Sequence, residues 1–453
     1  GKRYGFFPSF SAAYRISEEP FFEPLRKAVD NLKIRLSYGS LGNQQIGYYD
    51  FIQTITTKGS MSDYSFDGTV LGQHATVSDP VSGDQTWEKV VSKNLGLDLN
   101  MFNNRLSLTT DFYIRDTKGI LGKGKSLPSI YGASEPQMNA NNLRTKGYEL
   151  VLGWRDSFKL AGSTFSYGIT GTFSDYTAEY TKCDNPTGLI GDPYVGKKYG
   201  EIWGYKVDGL FRNDKEAAEY ASRIDLSTVA SGYYTATGAY GKGVRGGDIK
   251  YLDLNGDNIV NGGKGTLDDP GDRRVIGNSS PRYQYGASLN FSWYGFDVSV
   301  FMQGIGRLDW YPGADNLRFW GPYCRPYATF VPKNFMSQVW SEENPDAYFP
   351  RARAYTSLNS NSGTAYYTND RYLQNLAYCR LKNLTIGYTI PRRLTSKVGI
   401  KECRIYFSGE NLATWSALKS DFLDPEQAAA DSDKKANVYP WCKTYSIGLN
   451  LTF

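Results

Sequence analysis

Histidine is almost missing: the 453 residues include one, His74. That excludes metal centres and catalytic triads that need two imidazoles. The five cysteines (Cys183, Cys324, Cys379, Cys403 and Cys442) are too few, and odd in number, for a disulfide framework. No run of about 18 apolar residues occurs, which excludes a transmembrane helix. Charge of one sign is scarce too. Lys plus Arg is 51 against 46 for Asp plus Glu, a net of +5, far from a strongly basic nucleic-acid binder. There is no leader-like segment at the start. Gly1-Lys2-Arg3-Tyr4 has no methionine and runs straight into a patterned stretch, as expected of a piece of something longer.

What is present points to strands and turns: 48 glycines and 36 tyrosines, with 15% aromatic residues. The main signal is alternation with period two. Tyr445, Ile447, Leu449, Leu451 and Phe453 alternate with Thr444, Ser446, Gly448, Asn450 and Thr452. Tyr283, Tyr285, Ala287, Leu289, Phe291 and Trp293 do the same, and nine further segments follow. Successive strand residues point to opposite faces, so each segment has one apolar and one polar face. Several alternate for about 10 residues, the length of membrane strands rather than soluble ones. The polar face carries Asn, Gln, Ser, Thr and Gly, as a water-filled lumen would. Aromatics stand near the ends of the apolar face (Tyr283, Trp293, Tyr445, Phe453), where interfacial girdles belong.

Eleven strands are expected, starting near residues 6, 31, 90, 105, 143, 163, 282, 296, 376, 403 and 443. Short links (Phe102 to Asn104, Ser157 to Gly162, Tyr294-Gly295) alternate with long ones, roughly 43–88, 122–141, 177–281, 304–372 and 416–442. Outer-membrane barrels have this asymmetry, with short periplasmic turns and long extracellular loops. The fold class is therefore all-β, an antiparallel transmembrane β-barrel, with 177–281 and 304–372 as large extracellular loops. A closed bacterial barrel needs an even strand count, and an open edge in lipid leaves backbone groups unpaired. Eleven strands should thus be the C-terminal part of a larger barrel.

Motifs for chemistry are weak. Gly119 to Ser126 fits the phosphate-binding loop pattern, but Leu127-Pro128 follows where a helix is required. Gly241 to Gly246 fits a dinucleotide fingerprint without the flanking strand and helix. No nucleophile–base pair emerges, and no enzyme is expected. Asp253, Asn255, Asp257 and the Ile259 carbonyl have the spacing with which a calcium loop begins, its tight turn falling on Asn258. Position 12 is Lys264 rather than Glu, so Asp268, Asp269 or Asp272 would have to complete a structural calcium site; the alternative is an Asx-turn hairpin with no ion. The long links are rich in aromatics that suit sugars or peptides: Trp203, Tyr205, Tyr233, Tyr234, Trp310, Tyr311, Phe319, Trp320, Tyr323, Tyr366 and Tyr367. The alternative for each is packing within the loops themselves. Asp214 to Arg223 and Asp424 to Ala436 read as short loop helices.

The chain resembles the SusC/RagA-like TonB-dependent outer-membrane transporters over nearly its whole length. The resemblance rests on Leu36-Ser-Tyr-Gly-Ser-Leu-Gly-Asn43, Lys93-Asn-Leu-Gly-Leu-Asp98, Asp111-Phe-Tyr-Ile-Arg-Asp-Thr-Lys118 and Gly247-Asp-Ile-Lys-Tyr-Leu-Asp-Leu-Asn-Gly-Asp257. It continues through Arg274-Val-Ile-Gly-Asn278, Pro281 to Gly286, Trp340-Ser-Glu-Glu-Asn-Pro345, Leu381 to Tyr388 and Ser408-Gly-Glu-Asn-Leu412. It implies a 22-stranded, plugged barrel in the cell outer membrane, of which these would be the last eleven strands. It also implies import of oligosaccharides or oligopeptides, a SusD-like surface lipoprotein as lid, and coupling to TonB through a plug region that this sequence does not contain. A passive wide-pore barrel shares every pattern read here. A secreted carbohydrate-binding or adhesion β-protein is the rival from another class, and it requires a strand set that closes within these residues.

Overall fold

The alternation becomes eleven antiparallel strands: β1 (Ser9–Arg15), β2 (Val29–Asn43), β3 (Glu88–Met101), β4 (Leu106–Lys123), β5 (Gln137–Leu160), β6 (Ser163–Lys182), β7 (Arg282–Trp293), β8 (Phe296–Arg307), β9 (Tyr378–Thr389), β10 (Glu402–Ser416) and β11 (Thr444–Thr452). The structure is a computed structural model that describes residues 4–43, 52–58, 74–82, 85–123, 128–234, 243–314, 316–324, 331–353, 365–420, 422–429 and 441–453. The eleven strands form one sheet in chain order, each bonded to the strands before and after it. β1 and β11 are the two ends of that order and do not pair with each other, so the sheet does not close within the described residues. The secreted reading required closure here, and the sheet does not provide it.

Local sequence explains the tight turns. Tyr294-Gly295 and Ala161-Gly162 join their strands with φ positive at both residues (48° and 82°; 49° and 84°). That is the hairpin turn whose twist matches the strands. β5 runs to Leu160, so its turn is shorter than the link expected from Ser157. β5 also begins at Gln137 rather than near 143.

Register assigns the faces. Leu36, Leu95, Phe112 and Tyr148 lie directly opposite one another across β2 to β5. Leu36, Leu95, Phe112, Ile169, Leu289, Ile386, Ile405, Ile447 and Leu449 are all exposed. A contiguous apolar face of this extent has no place in water, and it is the face turned to lipid. Its ends are marked by rings. Phe158, Phe165, Tyr167 and Phe291 contact one another near the short turns. Phe112, Tyr148, Phe173 and Tyr283 form a second chain across β4 to β7 near the long connections. Phe165 and Phe173 are eight residues apart, about 26 Å along a strand, close to the roughly nine to eleven residues with which a tilted strand crosses the apolar band. β4, β5 and β6, at 18, 20 and 24 residues in ascending length (β4, β6, β5), continue past the upper ring.

The opposite face is hydrophilic. Arg35 bonds Asp98 (2.9 Å) and makes a paired contact with Asp111 (3.0 and 2.9 Å), which also accepts from Asn94 (2.8 Å). Arg404 bonds Asp297 at 2.9 Å across β8 to β10. A Cβ on Gly96 would lie 2.5 Å from the Arg35 guanidinium carbon, so a larger residue there would have to push that guanidinium off its present position between Asp98 and Asp111.

Candidate functional site

The hydrophobic core cluster of the described residues lies outside the sheet. It is built from the β6–β7 connection (183–281), the β8–β9 connection (308–377) and the β10–β11 connection (417–443), which come together at one rim. Helix α1 (Asp214–Ala221) forms where the 214–223 segment predicted one, with the Asn213 side chain capping the Glu216 amide at 2.9 Å. Residues 425–429 form turns instead of the helix expected from Asp424, and 430–436 lie outside the described residues. Their acidic side chains are held by the wall. Arg380 on β9 bonds Asp424 and, at 2.7 Å, Glu426, which also takes Lys382 at 2.7 Å.

The aromatics of the long links divide by position. Trp320, 1% exposed, packs edge-on against Phe319 (4.7 Å) and Tyr372 (5.1 Å), and its indole N–H donates to the Gly313 carbonyl at 3.0 Å. Tyr233, Trp310 and Tyr323 are likewise buried in the shared core, and the Arg353 guanidinium lies 4.2 Å from the Tyr233 ring centre. Tyr205 meets Tyr251 and Tyr367 edge to face. Tyr311 donates to the Ala365 carbonyl at 2.8 Å, and Tyr234 packs on the core's flank. Trp203 is half-buried, its N–H on Glu201 at 2.7 Å. Tyr366 is the open one, 47% exposed.

The Asp253 loop is closed by hydrogen bonds. Asp253 accepts the Gly256 and Asn258 amides (2.7 and 2.9 Å), and Asp257 accepts the Ile259 amide (2.8 Å) and the Asn255 side-chain amide (3.0 Å). Asn258 has φ +67°, so the tight turn falls where the spacing put it. Asp272, fully buried, accepts the Leu254, Asn255 and Asn261 amides (2.7, 3.3 and 2.9 Å), which leaves it turned onto the backbone rather than toward Asp253 and Asp257. These are consecutive Asx turns, in which the loop's own carboxylates hold its backbone amides. Among the described residues no group of three or more His, Cys, Asp or Glu is placed to hold a metal. The phosphate-loop match falls on strand β4, which runs on through Lys123, and 124–127 lie outside the described residues.

Sequence reading missed one cavity, of about 420 Å³, between the β8–β9 and β10–β11 connections. Phe319, Phe335, Phe349 and Phe422 wall it, with Arg318 and Lys419 among its lining and no acidic side chain among the described residues. The Lys419 ammonium sits 4.9 Å over the Tyr348 ring. Only assembly of two loops some 100 residues apart creates it, so no local signal could have revealed it.

No protein-family model matches the chain. It is 27% identical over 472 residues to TonB-dependent receptor P26 of Formosa agariphila, covering all of this chain and 42% of that protein. It is 23% identical over 463 residues to TonB-dependent receptor SusC of Bacteroides thetaiotaomicron, again over its full length and 40% of the relative. Over its whole length the chain is similar to SusC-like TonB-dependent receptors. The structure of the RagAB peptide transporter superposes with a TM-score of 0.67 at 21% identity, over 99% of this chain and 43% of the other, which establishes the shared fold. The SusC-like stretch thus spans less than half the length of the relatives it matches, and its eleven strands are part of the wall of an outer-membrane barrel.

Proposed function

We propose that the full receptor carrying this SusC-like stretch imports oligosaccharides or oligopeptides across the outer membrane. The observation that carries this is the pairing of an open, lipid-faced wall with one packed loop assembly at a single rim. A hydrophilic inner face gives a large polar solute a path, and the long loops, 183–281 and 308–377 chief among them, stand outside the cell and meet the solute first. A SusD-like surface lipoprotein acts as lid over those loops, and TonB supplies the energy through a plug region. Both SusC and the RagAB peptide transporter are relatives in this sense, one as a TonB-dependent receptor and the other as a peptide carrier by name.

In this reading the ligand meets loop groups that remain accessible, namely Tyr366, the open side of Trp203, and the cavity bearing Arg318 and Lys419. The buried Tyr233, Trp310 and Trp320 serve the site by fixing the loops, with Tyr234, Tyr311 and Tyr367 packed around them. The test is growth of cells bearing only this receptor on an oligosaccharide mixture or a peptide mixture as sole nutrient. Growth on one of them, lost in an Arg318→Ala/Lys419→Ala variant that still reaches the membrane, is the expected result. Equal growth with the gene deleted would refute the reading.

A further inference from the structure

The outward face of β3, β4 and β5 changes character just above the upper ring of aromatics. Leu95, Phe112 and Tyr148 form one row across these strands, and the next row toward the long connections is Lys93, Ile114 and Lys146. Above that come Asp116 opposite Arg144, then Lys89 opposite Lys118. All four lysines are exposed. The three carboxylates on this face are already engaged: Asp116 by Arg144 at 2.7 Å, Glu179 by Lys198 at 2.6 Å, and Asp175, opposite Tyr148, by Arg282 at 2.5 Å. Lys89, Lys93, Lys118 and Lys146 form no ion pair among the described residues.

We propose that this row binds the phosphorylated headgroup of a lipid in the outer leaflet. Lys93 and Lys146 flank Ile114 on the two neighbouring strands, which sets their Cα atoms about 10 Å apart. Their four-carbon stems can bring both ammonium groups onto one phosphate, as lysines do when they act as point charges. A groove of about 680 Å³ runs from them onto Leu95, Phe112, Ile114 and Tyr148. The step from the cation row to the apolar row is two residues, about 7 Å along the strands. A ligand that satisfies both therefore has negative charge at one end and hydrocarbon directly beneath it, which describes an anionic lipid and not an acidic protein segment. The outer leaflet follows from the orientation given under the proposed function, with the long loops outside.

The test uses the full-length receptor in neutral detergent, with lipid binding followed by native mass spectrometry and independent of any transport. Phosphatidic acid is the probe and phosphatidylcholine the zwitterionic control. Lys93→Gln/Lys146→Gln is compared with Lys215→Gln/Lys264→Gln, which removes the same charge from the loops. Preferential binding of phosphatidic acid is expected, weakened about thirtyfold in the first variant and unchanged in the second. Wild-type binding should also weaken as salt rises, a readout that needs no variant. Equal binding of both lipids, indifference to salt, or an unaffected Lys93→Gln/Lys146→Gln protein would overturn the site. Displacement of the lipid by inorganic phosphate alone would make it a free-anion site and refute the lipid assignment.

Discussion

Arg380 on the wall strand β9 and Glu426 in the last long loop meet at 2.7 Å, with the arginine 1% exposed. The same guanidinium holds Asp424, so one buried cation ties the β10–β11 connection to the mouth of the barrel. Arg380→Ala would leave two carboxylates near the wall with Lys382 as their remaining cation. Breaking such a pair costs about 3–5 kcal/mol. The expected outcome is protease cleavage between Phe422 and Ala429 in Arg380→Ala receptor while the strands stay intact; unchanged resistance would show that the pairs do not hold the loop.

Trp320 and Tyr366 should behave oppositely. Trp320→Ala empties the loop core, at about 3–5 kcal/mol, and should lower the melting temperature of the loop assembly. Tyr366→Ala should leave melting within about 0.5 kcal/mol of wild type and act only on ligand affinity. Calorimetry on both variants separates a packing residue from a contact residue, and equal destabilisation would contradict the division drawn between them.

Asp272 tests what closes the Asp253 loop. Its removal in Asp272→Ala strands three backbone amides, at about 2–4 kcal/mol in total, and should open the loop to protease. Chelation with EDTA should have no such effect on wild type. Loss of protease resistance in EDTA, restored by calcium and abolished in Asp253→Ala, would instead assign a structural ion to Asp253, Asn255, Asp257 and Ile259.

Asp248 gives a pH dependence. It meets Arg353 at 2.6 Å inside the loop core, yet burial pushes its carboxyl up to about 6 from 3.8. A folded-state value above the unfolded one means the folded loops hold the extra proton between these limits. This carboxyl therefore favours folding most below about pH 4, and that contribution is lost as pH rises through about 6. Loop melting followed from pH 4 to 7 should show this slope in wild type and lose it in Asp248→Asn. Equal slopes in the two proteins would remove Asp248 as the cause.

The wall was legible because period two survives in each strand: the outward row Leu36, Leu95, Phe112, Tyr148 is visible as alternation before any pairing is known. The loops were less so. Trp320 and Tyr366 are both aromatic in polar surroundings, and only the contacts of Trp320 with Tyr372, across a chain separation of 52 residues, distinguish them. The 424–429 segment has helix-favouring residues, but long-range ion pairs to Arg380 and Lys382 override local propensity. The lysine row above the girdle needs the register between β3, β4 and β5, which no single strand contains.

The most direct test is the intact mass of the outer-membrane species that contains the Tyr445–Phe453 peptide. An open sheet with an exposed apolar face needs further strands to close it. The expected species is extracted only by detergent and has more than twice the 50.7 kDa of this chain, in keeping with its 42% share of TonB-dependent receptor P26. A species of about 50.7 kDa, soluble without detergent, would contradict the barrel wall and return the secreted β-protein to first place.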